Sequence, residues 1–142
     1  MSKLLNKSSV GELYYRHKLV VRITHWINVF ALTVLLMSGL QIFNAHPFLY
    51  WGKSSYSHNP PILEIGSRVD GTGKVIGYTR LFGHEFNTTG ILGVATDVDG
   101  EVAAKAFPRW ITIPGSYWLS MARAWHFFFA WLLVLNGFVF VI

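Results

Sequence analysis

Two apolar segments decide the fold of this chain. The first reads ITHWINVFALTVLLMSGLQIF over residues 23–43, and the second reads ARAWHFFFAWLLVLNGFVFVI over residues 122–142. Each has about 21 residues, and a helix of about 20 residues rising 1.5 Å per residue crosses the roughly 30 Å hydrocarbon core of a bilayer. The sequence therefore predicts two membrane-spanning helices.

Each segment contains one histidine, within about one helical turn of its start. An imidazole without a partner is costly in hydrocarbon, so ionisable residues inside a membrane are candidates for function. A haem iron suits a neutral imidazole among aromatic side chains. We therefore predict that His25 and His126 are axial ligands of haem iron. A bond to a neighbouring serine or asparagine, a proton path and a quinone site are the alternatives for a single histidine.

The two histidines are predicted to lie at different depths. The spans are antiparallel, with His25 near the cytoplasmic end of the first and His126 near the external end of the second. The difference in height is a dozen or more residues, or about 20 Å at helical rise. Since two axial nitrogens must flank one iron closely, each histidine is predicted to serve its own haem, one near each membrane face.

Two glycines lie at matching heights. Gly39 is 14 residues beyond His25 and Gly137 is 11 residues beyond His126, so each is expected opposite the histidine of the other span. A missing side chain lets a flat macrocycle approach the helix backbone. Ordinary packing of small residues between membrane helices explains the same pattern equally well.

An arginine precedes each histidine by three residues. Arg22 and Arg123 therefore share a helix face with the histidines and lie closer to the aqueous boundary. Arginine forks suit carboxylates such as haem propionates. The alternative for either residue is an arginine at the membrane edge whose side chain extends towards water.

The composition is that of a membrane protein. Hydrophobic residues make up 52% and charged residues 13% of the chain, against about 25% charged residues in a typical soluble domain. The chain has no cysteine, which excludes disulfides, thiolate metal sites, iron–sulfur ligation and haem attached through cysteine. Haem held by histidine alone is not excluded.

The net charge of +5 is concentrated at the amino terminus, where residues 1–22 carry five basic side chains and one acidic one. Such a bias predicts a cytoplasmic amino terminus and an uncleaved first span, and it is a topology signal rather than a nucleic-acid patch. The predicted segments are a cytoplasmic stretch 1–18, a span 19–45, an external loop 46–117 and a span 118–142.

The loop has two Asp-Gly turns, at Asp70-Gly71 and Asp99-Gly100. Each is flanked by short runs with β-branched residues, which predicts small β-hairpins. The predicted fold class is an all-α membrane protein, with antiparallel transmembrane helices of a haem-binding bundle and a small external loop that contains these hairpins.

The stretch HKLVVRITHWIN (17–28) resembles the first-span signature of bacterial membrane b-type cytochromes, and RAWHFFFAW (123–131) is similar to their second-span signature. This family includes the cytochrome b subunits of nickel–iron hydrogenases, formate dehydrogenases and thiosulfate reductases. The loop, from Arg80–Phe86 to Phe107-Pro108, is similar to a branch paired with molybdopterin oxidoreductases.

The resemblance implies a multi-pass subunit of the bacterial inner membrane that relays electrons through two b-type haems without transforming a substrate itself. It implies quinone, membrane lipid and a catalytic oxidoreductase subunit, molybdopterin-dependent in that branch, as partners. It also implies about four spans, with the second ligand of each haem supplied by a later span. Because the second segment stops at Ile142 without a polar flank, we expect the chain to be the amino-terminal part of a longer protein.

Two other functions remain open. The first is a non-redox two-span anchor that holds a small external domain or docks a partner. The second is a fragment of a transporter or proton path, with His126 in a polar cavity. Neither requires haem, so a haem spectrum distinguishes both from the cytochrome.

Overall fold

The computed structural model describes residues 18–52, 59–96, 100–115 and 118–141. In these ranges the chain forms two long helices, α1 (Leu19–Phe43) and α2 (Leu119–Val141), with all the strands between them in sequence. The strands are β1 (Phe48–Leu49), β2 (Leu63–Val69), β3 (Val75–Leu81), β4 (His84–Asn87), β5 (Gly93–Thr96) and β6 (Val102–Lys105), and a 3-10 turn covers Arg109–Ile111.

The prediction of an all-α fold is wrong. The described residues between the helices form a four-stranded antiparallel sheet, in the order β1-β2-β3-β4, and a two-stranded sheet of β5 and β6. The expected hairpins are present, but β1 and β4 extend the first one on both sides, and β5 packs against β3. The β3–β4 pair is a further hairpin with a two-residue turn, whereas the β1–β2 pair and the β3–β5 contact join segments that are further apart in the sequence. The predicted loop therefore contains two packed sheets, which together are called the β unit.

Both helices are long and apolar enough to cross a membrane by length and composition. Helix α1 ends at Phe43, shortly before Pro47, which cannot continue a helix and disfavours helical geometry in the residue before it. A helix that is apolar on all sides belongs either in a large protein core or in lipid. Only 17% of the apolar window of α1 and 11% of that of α2 is buried, which favours lipid.

The turn between β2 and β3 is organised by the Asp70 carboxylate. One of its oxygens accepts hydrogen bonds from the Thr72 hydroxyl (2.6 Å), the Thr72 amide (2.8 Å) and the Lys74 amide (3.0 Å). The hydroxyl bond, followed by the two amide bonds, lowers the pKa of Asp70 below its ordinary value. This is the first of the two predicted Asp-Gly turns.

The two sheets approach each other through glycines. A Cβ atom on Gly93 would collide with the Gly66 carbonyl, and one on Gly77 would collide with the Leu92 carbonyl. Gly93 also has a φ of +85°, in a region that side chains disfavour. The contact between the sheets therefore requires residues without side chains at these positions.

The β unit is attached to the carboxyl end of α1. The side-chain oxygen of Asn44 accepts a hydrogen bond from the Phe107 backbone N–H (2.7 Å), and the side-chain nitrogen of Asn44 donates one to the Phe107 carbonyl (3.2 Å). The Phe43 and Phe107 rings are in contact, with centroids 5.8 Å apart. The β unit therefore lies at the end of the helix pair where α1 finishes and α2 begins.

Some predictions fall outside the described residues. These are the cytoplasmic stretch up to residue 17, residues 97–99 of the second Asp-Gly turn, residues 116–117 before α2, and Ile142.

Candidate functional site

The two helices pack through small and polar side chains. The buried residues of α1 follow one another at intervals of seven, three, four and three residues, which is the spacing of one helix face turned towards a neighbour. They are Thr24, Ala31, Val34, Ser38 and Gln41, and α2 contributes Ala122 and Asn136. Small residues allow close approach in membranes, where polar groups bond across helices.

Asn136 sets the register at the amino-terminal end of α1. Its side-chain amide donates to the Thr24 carbonyl (2.8 Å) and to the Asn28 side-chain oxygen (2.7 Å). Asn136 is buried with only 7% of its surface exposed, so water does not compete effectively for these bonds. The polar contact holds α2 at the level of α1 that carries His25.

His126 sets the register at the other end of the pair. Its Nδ1 atom is 3.0 Å from the Ser38 hydroxyl oxygen, in a hydrogen bond that joins α2 to α1. Ser38 is fully buried. In the described part of the chain no hydrogen bond reaches His126 Nε2. The bond to serine is one of the alternatives that the sequence left open for this histidine, and it occupies only one ring nitrogen.

The Ser38 contact fixes the separation of the two candidate ligands. It holds His126 level with Ser38, and the thirteen-residue step from His25 to Ser38 corresponds to about 20 Å along the helix. This agrees with the difference in height predicted from the sequence. One iron cannot bind both imidazoles at that separation.

His25 and Arg22 line one cleft at the amino-terminal end of α1. The cleft has a volume of about 440 Å³, and its other lining residues are Val21, Trp26, Asn28 and Phe140. Its size falls in the range of small-molecule and cofactor sites. The His25 ring is exposed and meets the Trp26 ring edge-on, with centroids 5.9 Å apart. The structure thus brings together the histidine and arginine predicted for this level.

The remaining predicted site residues have different surroundings. A Cβ on Gly39 would lie 3.5 Å from His126 Cε1, so this glycine faces the histidine at the expected height. A Cβ on Gly137 would meet nothing within 4 Å, which leaves open space beside the backbone. Arg123 is exposed, and neither it nor Arg22 forms an ion pair with another described residue.

Sequence reasoning missed Ser38 and Asn136 as partners across the helix pair. The available signal was the presence of polar side chains within apolar spans, where they favour the protein interior over lipid. Their partners could not be read from the sequence, because the register of two helices is set by contacts that have no local pattern.

Charged residues on the surface of the four-stranded sheet pair with one another. Arg80 pairs with Glu64 (2.7 Å) and Glu85 (3.1 Å), and the Tyr78 hydroxyl donates to Glu64 (2.6 Å). The bond to Glu64 raises the pKa of Tyr78. Such a network stabilises the sheet surface, and each of its members is bonded to another member.

A cleft of about 830 Å³ on the β unit is lined by backbone and aliphatic groups with Lys74, Arg109 and Trp110. It is larger than the His25 cleft but contains no histidine or acidic side chain. Among the described residues no group of three or more histidine or acidic side chains is placed to hold a metal ion. The histidines on the helix pair are therefore the better candidates for a functional site.

Comparison with known proteins gives one informative relative. The chain is 25% identical over 130 residues to the putative protein-methionine-sulfoxide reductase subunit YedZ1 of Azospira oryzae. The aligned part covers 92% of this chain but 37% of that protein. No family model matches the chain, and no solved structure matches it. The similarity supports the predicted class at a coarse level, that of a subunit of an oxidoreductase, and does not reach the hydrogenase and formate dehydrogenase branch.

Proposed function

We propose that this chain is part of a membrane subunit that carries electrons through haem for a partner oxidoreductase. The observation that carries the proposal is the geometry of His126, whose Nδ1 is bonded to buried Ser38 while Nε2 is left without a hydrogen-bond partner among the described residues. An imidazole held at one nitrogen by a hydrogen bond and open at the other is the usual arrangement of a metal-binding histidine. The similarity to a reductase subunit supports the same class.

The proposal assigns one haem to each level of the helix pair. His25 is the ligand in the cleft shared with Arg22, and His126 is the ligand beside Gly39. We propose that Arg22 and Arg123 bind the propionates, which is supported by the lack of an ion pair between either residue and the described residues. Gly137 leaves space for a flat group at the level of His25. Bound haem supplies one-electron transfer at each level.

Each level offers one histidine, and a low-spin b-type haem takes two axial ligands. The second ligands therefore come from outside the described residues. We propose a later span of the same protein as their source, because the chain spans 37% of the length of the relative that it matches.

For the partners, we propose a catalytic subunit on the side of the β unit and quinone as the other redox partner. Similarity to a protein named as a methionine-sulfoxide reductase subunit supports a reductase in the first role. The resemblance to cytochromes of molybdopterin enzymes supports a molybdopterin-dependent one.

The basic amino terminus supports a cytoplasmic start and an external β unit. Reporter fusions at residue 80 and at the amino terminus test this orientation, which a cytoplasmic signal at residue 80 would overturn.

The test of the function is a reduced-minus-oxidised spectrum of bacterial membranes that contain the complete gene product. The wild-type protein is expected to give a b-type signal that disappears in the double variant His25→Ala, His126→Ala. An equal amount of inserted protein in both membranes is the control. A wild-type protein without a haem signal would overturn the proposal.

A non-redox anchor is the second candidate. It is favoured by the same Ser38 bond, because that bond satisfies one polar atom of His126 without any cofactor. The anchor predicts no chromophore, and it predicts that a partner subunit stays bound to the membrane in the double histidine variant. The spectrum therefore separates the two candidates.

A further inference from the structure

We infer that Ser38 is a positioning residue that fixes the tautomer of His126, so that Nε2 is the nitrogen able to bind iron. The inference deepens the proposed function and rests on it. It concerns the direction of the hydrogen bond between the two side chains, which the distances around Ser38 decide.

The Ser38 hydroxyl has a single proton and three neighbouring partners. Its oxygen is 2.7 Å from the Val34 carbonyl, 3.2 Å from the Leu35 carbonyl and 3.0 Å from His126 Nδ1. A carbonyl can only accept, and donation from serine to the carbonyl four residues earlier is a common arrangement in helices. The Ser38 hydroxyl therefore donates its proton to the nearest of the three, the Val34 carbonyl.

With its proton directed at Val34, the Ser38 oxygen can only accept from the histidine. Nδ1 of His126 then carries the proton, and in a neutral ring Nε2 carries the lone pair. The opposite arrangement would put the proton on Nε2 and block iron binding. Ser38 is fully buried, so water cannot easily take over its role.

The bond also orients the ring. A hydrogen bond at the second nitrogen of a metal-binding histidine fixes the plane of the ring and raises its basicity. The ring lies beside α1 at the residue next to Ser38, because a Cβ atom built on Gly39 would be 3.5 Å from His126 Cε1, an ordinary contact distance. Ser38 thus orients the ring as its hydrogen-bond acceptor, and Gly39 lies next to the ring on the same helix.

The experiment uses the complete gene product, extracted from membranes, with four variants. Ser38→Ala removes the acceptor, and Ser38→Thr keeps a hydroxyl at the same position. Thr33→Ala is the matched control, because the Thr33 hydroxyl makes the same kind of bond to a carbonyl four residues earlier (2.8 Å) at an exposed position of the same helix. His126→Ala identifies the haem that belongs to this level.

Two quantities are measured, the haem retained per protein and the midpoint potential of each haem. In Ser38→Ala, we expect the haem assigned to His126 to be held about 10- to 100-fold more weakly. Its potential should rise, because a less basic ligand stabilises ferric iron less. The haem assigned to His25 should keep its potential, Ser38→Thr should restore most of the loss, and Thr33→Ala should match the wild type.

A second measurement does not depend on haem. Nitrogen-15 spectra of histidine-labelled, haem-free protein report the tautomer of His126, which is assigned by its absence in His126→Ala. The Nδ1–H form is expected in the wild type, with the Nε2–H form gaining population in Ser38→Ala.

An Nε2–H tautomer in the wild type would overturn the inference. So would a Ser38→Ala protein that keeps wild-type haem affinity and potential while His126→Ala loses one haem, a result that leaves the proposed function standing. Failure of the proposed function looks different, because His126→Ala would then leave the haem content unchanged.

Discussion

Asn44 and Phe107 exchange two hydrogen bonds across 63 residues of sequence, with the Asn44 side chain in both roles and the Phe107 backbone as its partner. This exchange ties the last turn of α1 to the segment that leads back to α2. It holds the β unit against the same end of the helix pair at which His126 meets Ser38.

Replacing Asn44 tests this attachment. In Asn44→Ala the amide and carbonyl of Phe107 lose their partners, which should weaken the attachment by about 1–3 kcal/mol. Hydrogen exchange at the Phe107 amide is the measurement, and it should accelerate. Asn44→Asp is the control, because it keeps the acceptor for the Phe107 N–H and should give a smaller effect. Unchanged exchange in Asn44→Ala would show that the contact contributes nothing.

Asn136 is expected to stabilise the helix pair. A double-mutant cycle of Asn136→Ala with Asn28→Ala should give a coupling of about 0.6–2 kcal/mol, the range of hydrogen bonds between membrane helices. Unfolding in mixed detergent provides the free energies. Leu135→Ala is the control on the adjacent, exposed position of α2. Zero coupling would mean that the two asparagines do not interact in the membrane.

The two single histidine variants should remove different haems. His25→Ala should eliminate the haem near the start of α1, and His126→Ala the one near the β unit, because about 20 Å separates the two levels. The measurement is haem per inserted protein, which should fall by about half in each variant if each level holds one haem. Loss of both haems in either single variant, in a protein that still folds and inserts, would contradict separate ligation.

The Asp70 turn should make the β unit sensitive to acid. The folded pKa of Asp70 is lowered below 3.8, chiefly by the Thr72 hydroxyl. A group with a depressed folded pKa stabilises the fold above its unfolded pKa, and this stabilisation is lost as the pH falls through the folded value. Asp70→Ala should therefore lower the unfolding midpoint of the β unit at neutral pH, and the difference from wild type should shrink below about pH 4. A difference that is the same at all pH values would exclude a role for the carboxylate charge.

The sequence was sufficient for the features that depend on local composition. Length and apolarity predicted both helices, and Asp70-Gly71 predicted the turn that its carboxylate organises. Counting residues along two antiparallel spans also put Gly39 at the height of His126, because helical rise is constant.

The sequence was not sufficient for features that depend on distant partners. Strand β1 has two residues, Phe48 and Leu49, which are too few for any periodic pattern. Strand β4 follows β3 after only two residues, but its mostly polar sequence HEFN lacks the alternation of apolar and polar residues that predicts a strand. For the same reason the fold class was predicted as all-α, and the bond between Ser38 and His126 remained one alternative among several.

The spacing of the two histidine levels has an electrical consequence for the proposed relay. About 20 Å is roughly two thirds of a 30 Å hydrocarbon core. An electron that moves from one level to the other therefore passes through roughly two thirds of the transmembrane voltage, or about 1.5 kcal/mol for each 100 mV. The direction of current through such a helix pair then depends on the energised state of the membrane as well as on the chemistry of the redox partners at its two faces.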